Sequence, residues 1–207
     1  MNKILLDKEL FVLDNNSYKI DVTNNSKIYI NNISDVDLEI NMLDNSSLDI
    51  YLFNTKNTNN KILVNQSNNT TINLYHSFKI DGNYNFDYNS ILNGDNNVNN
   101  VFISGVSNGY ANMSVDGNAI KGTKNNELNE NIRVLTINGK AHIMPMLHVS
   151  VLDVIANHNT TISNISKKYL DYLMSKGINK EKSVELIENG YLYGLYKNEE
   201  EFLNLIR

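Results

Sequence analysis

Apolar and polar residues alternate in short runs along the first part of the chain: Ile20-Asp-Val22, Ile28-Tyr-Ile30, Val36-Asp-Leu38-Glu-Ile40-Asn-Met42, Leu48-Asp-Ile50-Tyr-Leu52, Ile62-Leu-Val64 and Ile72-Asn-Leu74. A period of two puts alternate side chains on opposite faces of an extended backbone, so each run predicts a strand with one face buried. Successive runs begin roughly 8 to 12 residues apart, the spacing of a sandwich, barrel or solenoid built from many short strands. Asparagine pairs fall among them at 15–16, 24–25, 31–32, 59–60, 68–69, 96–97 and 99–100. Asparagine tolerates left-handed backbone and bonds its own main chain, so these pairs predict turns. No helical pattern interrupts before about residue 165, which excludes a doubly wound α/β fold. No clean repeat is visible, and the asparagine-rich corners lean towards a solenoid rather than a sandwich.

The period changes after Ile162. Ile165, Tyr169, Leu170, Leu173 and Met174 share one helical face, with Ser166 as N-cap and Gly177 as terminator. A second helix fits Lys180 to about Tyr196, capped by Asn179, with Val184, Ile187, Tyr191 and Leu195 as its stripe. A third takes Asn198 as its cap and carries Glu199, Glu200 and Glu201 where the helix dipole favours negative charge; its apolar face is Phe202, Leu205 and Ile206. The chain divides into a β part, residues 1–162, and a helical part, residues 163–207. Helices so placed either cover the β core or offer a docking surface to a partner.

Length, 207 residues, fits one domain of ordinary size with a small appendage. A net charge of −5 with only two arginines, Arg133 and Arg207, leaves no basic stripe to neutralise phosphates, so nucleic acid is not an expected partner. The absence of cysteine removes disulfides, thiolate zinc sites, cysteine nucleophiles and a cysteine-ligated cluster held by this chain alone. Lys3, Asp7, Lys8 and Glu9 interrupt what would have to be the apolar stretch of a secretion signal, and no run reaches the roughly 18 apolar residues of a membrane span. A cytoplasmic protein with no membrane partner is the expectation. About 40 residues are asparagine, a bias that A- and T-rich codons would produce.

Distinctive residue types concentrate between Gly139 and Gly190. This segment holds the sole proline, Pro145, and three of the four histidines, His142, His148 and His158. His142 and His148 are six apart, so on one unbroken strand they share a face about 20 Å apart, too far for one metal ion. Lys140 reads as a solvated turn residue. The glycines at 105, 109, 117 and 122 lack the Lys-Ser/Thr ending and following helix of a phosphate loop, and no G-x-S-x-G elbow occurs. Paired carboxylates in a β-helix would suit a polysaccharide-binding or polysaccharide-cleaving protein. The lack of tryptophan, the shortage of arginine and the lack of a secretion signal count against it. A purely structural solenoid is the third class, and it predicts no ATPase partner.

Pro145-Met-Leu-His-Val149, Asp153-Val154, Asn157-His158-Asn159-Thr160-Thr161, Lys168-Tyr-Leu-Asp-Tyr-Leu173, Ser175-Lys-Gly-Ile178 and Ile187-Glu-Asn-Gly190-Tyr191 follow one another in an order and spacing that resemble the C-terminal signature of the SufB/SufD family. That signature runs roughly P-x-L-E-[IV], D-V, S-H-G-A-T, F-Y-L-x-S-R-G-I and a closing G-F. Val106-Ser-Asn-Gly109 through Gly117 is similar to the family's stretch of small residues upstream. The match is convincing over about residues 104 to 196, whereas residues 1 to 100 agree in strand character only.

The resemblance implies a right-handed parallel β-helix followed by a small helical domain, and a non-enzymatic role in assembling iron-sulfur clusters. It implies pairing with a SufB-like subunit through the β-helix, or self-pairing when alone, and docking of a SufC-like ABC ATPase on the C-terminal helices. Outward groups such as Lys176, Glu188 and Tyr193 are the expected contacts. B-type members carry a cysteine before an A-H-T-x-P segment and a carboxylate after the histidine; here Gly139 and Asn159 stand there. Ala141-His142-Ile-Met-Pro145 nevertheless keeps the B-type spacing. The D-type histidine is retained as His158, so the resemblance points to a SufD-like subunit. It also implies no tightly bound cofactor, but transient iron or an iron-sulfur cluster at the partner interface, with His158 as its ligand from this chain.

Overall fold

In the computed structural model, which describes residues 2–6 and 10–207, fourteen strands precede three short helices. Asp7, Lys8 and Glu9, on which the expectation about a secretion signal drew, lie outside the described residues. The strands are β1 Asn2–Leu6, β2 Leu10–Val12, β3 Ser17–Val22, β4 Asn25–Asn31, β5 Asp37–Met42, β6 Ser47–Asn54 and β7 Asn59–Gln66. They continue with β8 Thr71–Ile80, β9 Asn83–Leu92, β10 Val98–Ser107, β11 Tyr110–Ala119, β12 Asn126–Thr136, β13 Lys140–Val149 and β14 Val154–Asn164. Odd strands form one seven-stranded sheet in the order β1-β3-β5-β7-β9-β11-β13, and even strands form the other, from β14 to β2. All pairings are parallel. The chain winds as a parallel β-solenoid, alternating between two facing sheets.

The six apolar alternations of the sequence lie in strands, save Val36, which just precedes β5, and their alternate apolar positions point into the lumen while Leu63 faces outward. Ile20, Ile40, Ile62 and Tyr88 on one sheet face Ile28, Ile50, Leu74 and Val101 on the other in one continuous buried core. Fully burying such side chains contributes about 1.5–3 kcal/mol each, and stacking in register repeats that gain from coil to coil.

The corners explain the asparagines. Asn45, Asn69, Asn96 and Asn125 all have positive φ, from 54° to 64°. The upper three each donate a side-chain amide to the one below: Asn69 to Asn45 at 3.1 Å, Asn96 to Asn69 at 3.0 Å and Asn125 to Asn96 at 3.1 Å. A second ladder climbs the outer face of the even sheet from Asp49 through Asn73, Asn100 and Asn129 to Asn157. Two expected turns are corrected here. Asn59–Asn60 lies in β7 and Asn99–Asn100 in β10, because an asparagine stacked on a neighbouring coil serves a strand as well as a turn.

Helices α1 Lys167–Ser175, α2 Lys180–Tyr193 and α3 Glu200–Ile206 follow, with a 3₁₀ turn at Gly194–Tyr196. Asn179 caps α2 through its side chain, which accepts from Lys182 N at 2.8 Å. Gly177 ends the α1 region with φ of +85°. The helices fold back on the outer face of the even sheet, where Tyr29, Tyr51 and Phe53 meet Leu192, Tyr196, Phe202 and Leu203. Three helical expectations are corrected. Glu199, not Asn198, is the N-cap of α3, and its carboxylate is drawn away to Lys27 Nζ at 2.8 Å and Tyr29 Oη at 2.7 Å. Burial works against that charge, yet the two donors hold the Glu199 carboxyl below its usual range. Leu203 is buried with Phe202 while Leu205 is exposed, because α3 lies along the tyrosine face. On α1, Tyr169 and Met174 are exposed, since that helix packs on α2 and buries no residue fully.

Candidate functional site

β13 and β14 are the last strands of their sheets, so the solenoid ends there with two strand edges and an open lumen. Parallel pairing stacks residues in register, and the inward positions of these strands continue the phase of those below. On β13 they are Ala141, Ile143, Pro145, Leu147 and Val149, aligned on Ala111, Met113, Val115, Gly117 and Ala119. On β14 they are Val154, Ala156, His158, Thr160 and Ile162, aligned on Asn126, Leu128, Glu130, Ile132 and Val134. Pro145 lacks a backbone N–H, which an edge strand tolerates. Every inward residue below is buried, whereas Val149 and Ile162 are exposed for want of another coil.

His158 is exposed at this end, and among the described residues no hydrogen bond holds its ring. The residue beneath it is Glu130. Its side chain is in the lumen phase, only 2% of the residue is exposed, and neither carboxyl oxygen has a hydrogen-bond partner. Burial, with a smaller contribution from the Asp116 charge, pushes its carboxyl up to about 8, so it holds a proton near neutral pH. Thr160 Oγ1, one inward position along from His158, is also buried without a partner. The open end therefore presents an exposed imidazole one coil above a desolvated carboxylic acid; the imidazole can offer a nitrogen to a cation.

Glu130 is not among the residues that the sequence motifs single out. Its signal is one of phase: it occupies the apolar positions of Leu128-Asn-Glu130-Asn-Ile132. The fourth histidine, His76, plays the structural part. Fully buried, it has Nδ1 3.2 Å from Leu52 O and Nε2 2.8 Å from Tyr84 Oη, and burial pushes its pKa down to about 3.

The other sequence-singled residues separate. Asn157 and Asn159 lie on the opposite face of β14 from His158, Asn157 as the last rung of its ladder. Gly139 precedes β13 in a column of glycine corners: a Cβ there would come 2.3 Å from Gly109 O, and one on Gly109 would come 2.2 Å from Gly82 O. No side chain, thiolate or otherwise, fits at 139 without moving the backbone below. His142 and His148 share the outer face of β13, away from His158. Among the described residues no three His, Asp or Glu side chains converge to hold a metal ion.

Of the three groups taken as outward on the helices, only Lys176 is exposed, its Nζ over the Tyr172 ring. Glu188 turns inward to Lys79 Nζ at 2.7 Å, and Tyr193 stacks on Phe53 with ring centroids 6.1 Å apart. That correction has one cause: α2 lies on the sheet, so groups that a lone helix would expose meet outer-face residues of β6 and β8. On α1 Tyr169, Tyr172 and Met174 are exposed, and Tyr169 lines a cleft of about 300 Å³ with Leu135, Ile165, Ile187 and Tyr191.

The fold is a parallel β-solenoid with a helical tail folded on one sheet and an open end where His158 and Thr160 stand among apolar inward residues. Residues 8–191 match the family model described as the SUF system FeS cluster assembly, SufBD core domain. The chain belongs to the SufB/SufD family, and its role lies in the assembly of iron-sulfur clusters. No individual curated protein matches it. No helix is long and apolar enough to cross a membrane among the described residues.

Proposed function

We propose that this chain is a non-enzymatic, SufD-like subunit of a cluster assembly complex, whose open solenoid end pairs with a SufB-like subunit and whose α1 surface docks a SufC-like ATPase. The observation that carries the reading is the stacked pair His158 and Glu130 at the unpaired end of both sheets. Strand edges there can pair with another chain, which would cover the exposed imidazole and exclude water from it. Lacking cysteine, this chain supplies no thiolate. Any iron or cluster passing through is cargo, held by thiolates of the partner and met from this side by His158. The carboxyl of Glu130 beneath can accept or release a proton as charge arrives.

The helices are anchored to the sheet, so an ATPase gripping α1 would move the solenoid end with them rather than swing a loose arm. Exposed Tyr169, Tyr172 and Lys176 are the proposed grip. The test is recovery of tagged protein from its host with identification of what accompanies it. A SufB-like subunit and an ABC ATPase are expected, and finding neither overturns the reading. His158→Ala should lower cluster-dependent enzyme activity in the host while leaving the melting curve unchanged. Wild-type activity would make His158 a bystander.

A further inference from the structure

On the outer face of β13 four residues follow at alternate positions: His142, Met144, Met146 and His148. Their inward neighbours Ile143 and Leu147 pack on the core, which fixes the phase. We propose that this row is a binding site for a soft monovalent metal ion, copper(I), held by the thioethers of Met144 and Met146 with an imidazole from a flanking histidine.

The chemistry of the row selects the ion. Thioethers bind soft cations and suit copper(I), whereas zinc prefers thiolate, imidazole or carboxylate. Same-face neighbours on a strand are about 7 Å apart at Cα, a gap that two flexible methionine arms close by leaning together. His142 has a support from the coil below: its Nδ1 lies 3.1 Å from Asn112 Oδ1, and with its proton there, Nε2 is left as the free lone pair. His148 Nε2 lies 3.5 Å from Asp116 Oδ1 without a hydrogen bond to it. A hydrogen-bonded outer partner such as Asn112 orients a metal-binding imidazole. Packing does not account for Met144, which is 41% exposed on an edge strand, and Met146 beside it is half-buried. The row faces away from the lumen, so it is separate from His158.

The test is anaerobic titration of the full chain with copper(I) against a chromophoric copper(I) chelator. The wild-type protein should take one ion from the chelator. The double variant Met144→Leu/Met146→Leu should take none while melting like wild type. Asn112→Ala, which frees the His142 ring, should weaken binding about tenfold. His158→Ala should bind as wild type does, which separates this site from the proposed role in cluster assembly. The proposal is overturned if the chelator keeps the ion, if the double leucine variant competes as well as wild type, if equimolar zinc displaces the copper, or if His158→Ala abolishes binding.

Discussion

Tyr196 Oη, from the turn after α2, lies 2.5 Å from the carbonyl oxygen of Leu52 on β6, the same oxygen that His76 Nδ1 meets from inside the lumen. Helical tail and solenoid thus share one buried acceptor. Tyr196 Oη also accepts from Ser77 N at 2.7 Å, so its hydroxyl both donates and receives where water does not reach. Burial raises its pKa and keeps it neutral.

Tyr196→Phe leaves the Ser77 N–H buried without an acceptor, a loss of about 1–3 kcal/mol. Urea unfolding should show the lower midpoint, and hydrogen exchange should speed up first in α2 and the 3₁₀ turn. Unchanged exchange there would mean that aromatic packing alone seats the tail. Leu52 O keeps its bond to His76, so the lumen side of β6 should retain its protection.

Asn96→Gly and Asn96→Ala separate the two contributions of the corner ladder. Glycine keeps the positive φ but loses the side-chain bonds to Asn69 and from Asn125, at a net cost of about 1–3 kcal/mol for two bonds. Alanine loses the same bonds and adds about 1–2 kcal/mol for left-handed backbone. The difference between the two melting midpoints reads the backbone contribution alone. Equal midpoints would mean that the corner gives up its φ without penalty.

The strands are legible because one face of each is buried, and burial writes itself as alternation. The coil is not, because its length drifts: stacked ladder residues are 24, 27 and 29 apart in sequence as the solenoid widens. The tail's seat is hidden for another reason. Tyr29, Tyr51 and Tyr75 occupy the outward phase that alternation assigns to solvent, and only the returning helices make that face a second core. Glu188 misleads on the same ground, since its partner Lys79 is 109 residues away. His158 stands out through its motif, whereas Glu130 follows only from strand phase, read beside the residue that stacks on it.

Glu130 should make stability depend on pH in a direction opposite to that of a paired carboxylate. Its folded pKa is raised from 4.5 to about 8, chiefly by burial. Below pH 4.5 both folded and unfolded chains hold the proton, and the full stability is present. Between 4.5 and about 8 the unfolded chain releases the proton while the folded chain keeps it, so stability falls as pH rises and levels off above about 8. Every pH unit within that window costs about 1.4 kcal/mol, so the loss from one end to the other amounts to a few kcal/mol. Glu130→Gln is isosteric and cannot ionise. It should match wild type near pH 5 and exceed it at pH 8.5, with the gap growing steadily between. Parallel melting curves for the two proteins across that range would show that Glu130 is ionised in the fold, and the proton-holding acid beneath His158 would then be wrong. The same series on His158→Ala should keep the wild-type slope, because burial rather than the imidazole sets the Glu130 pKa.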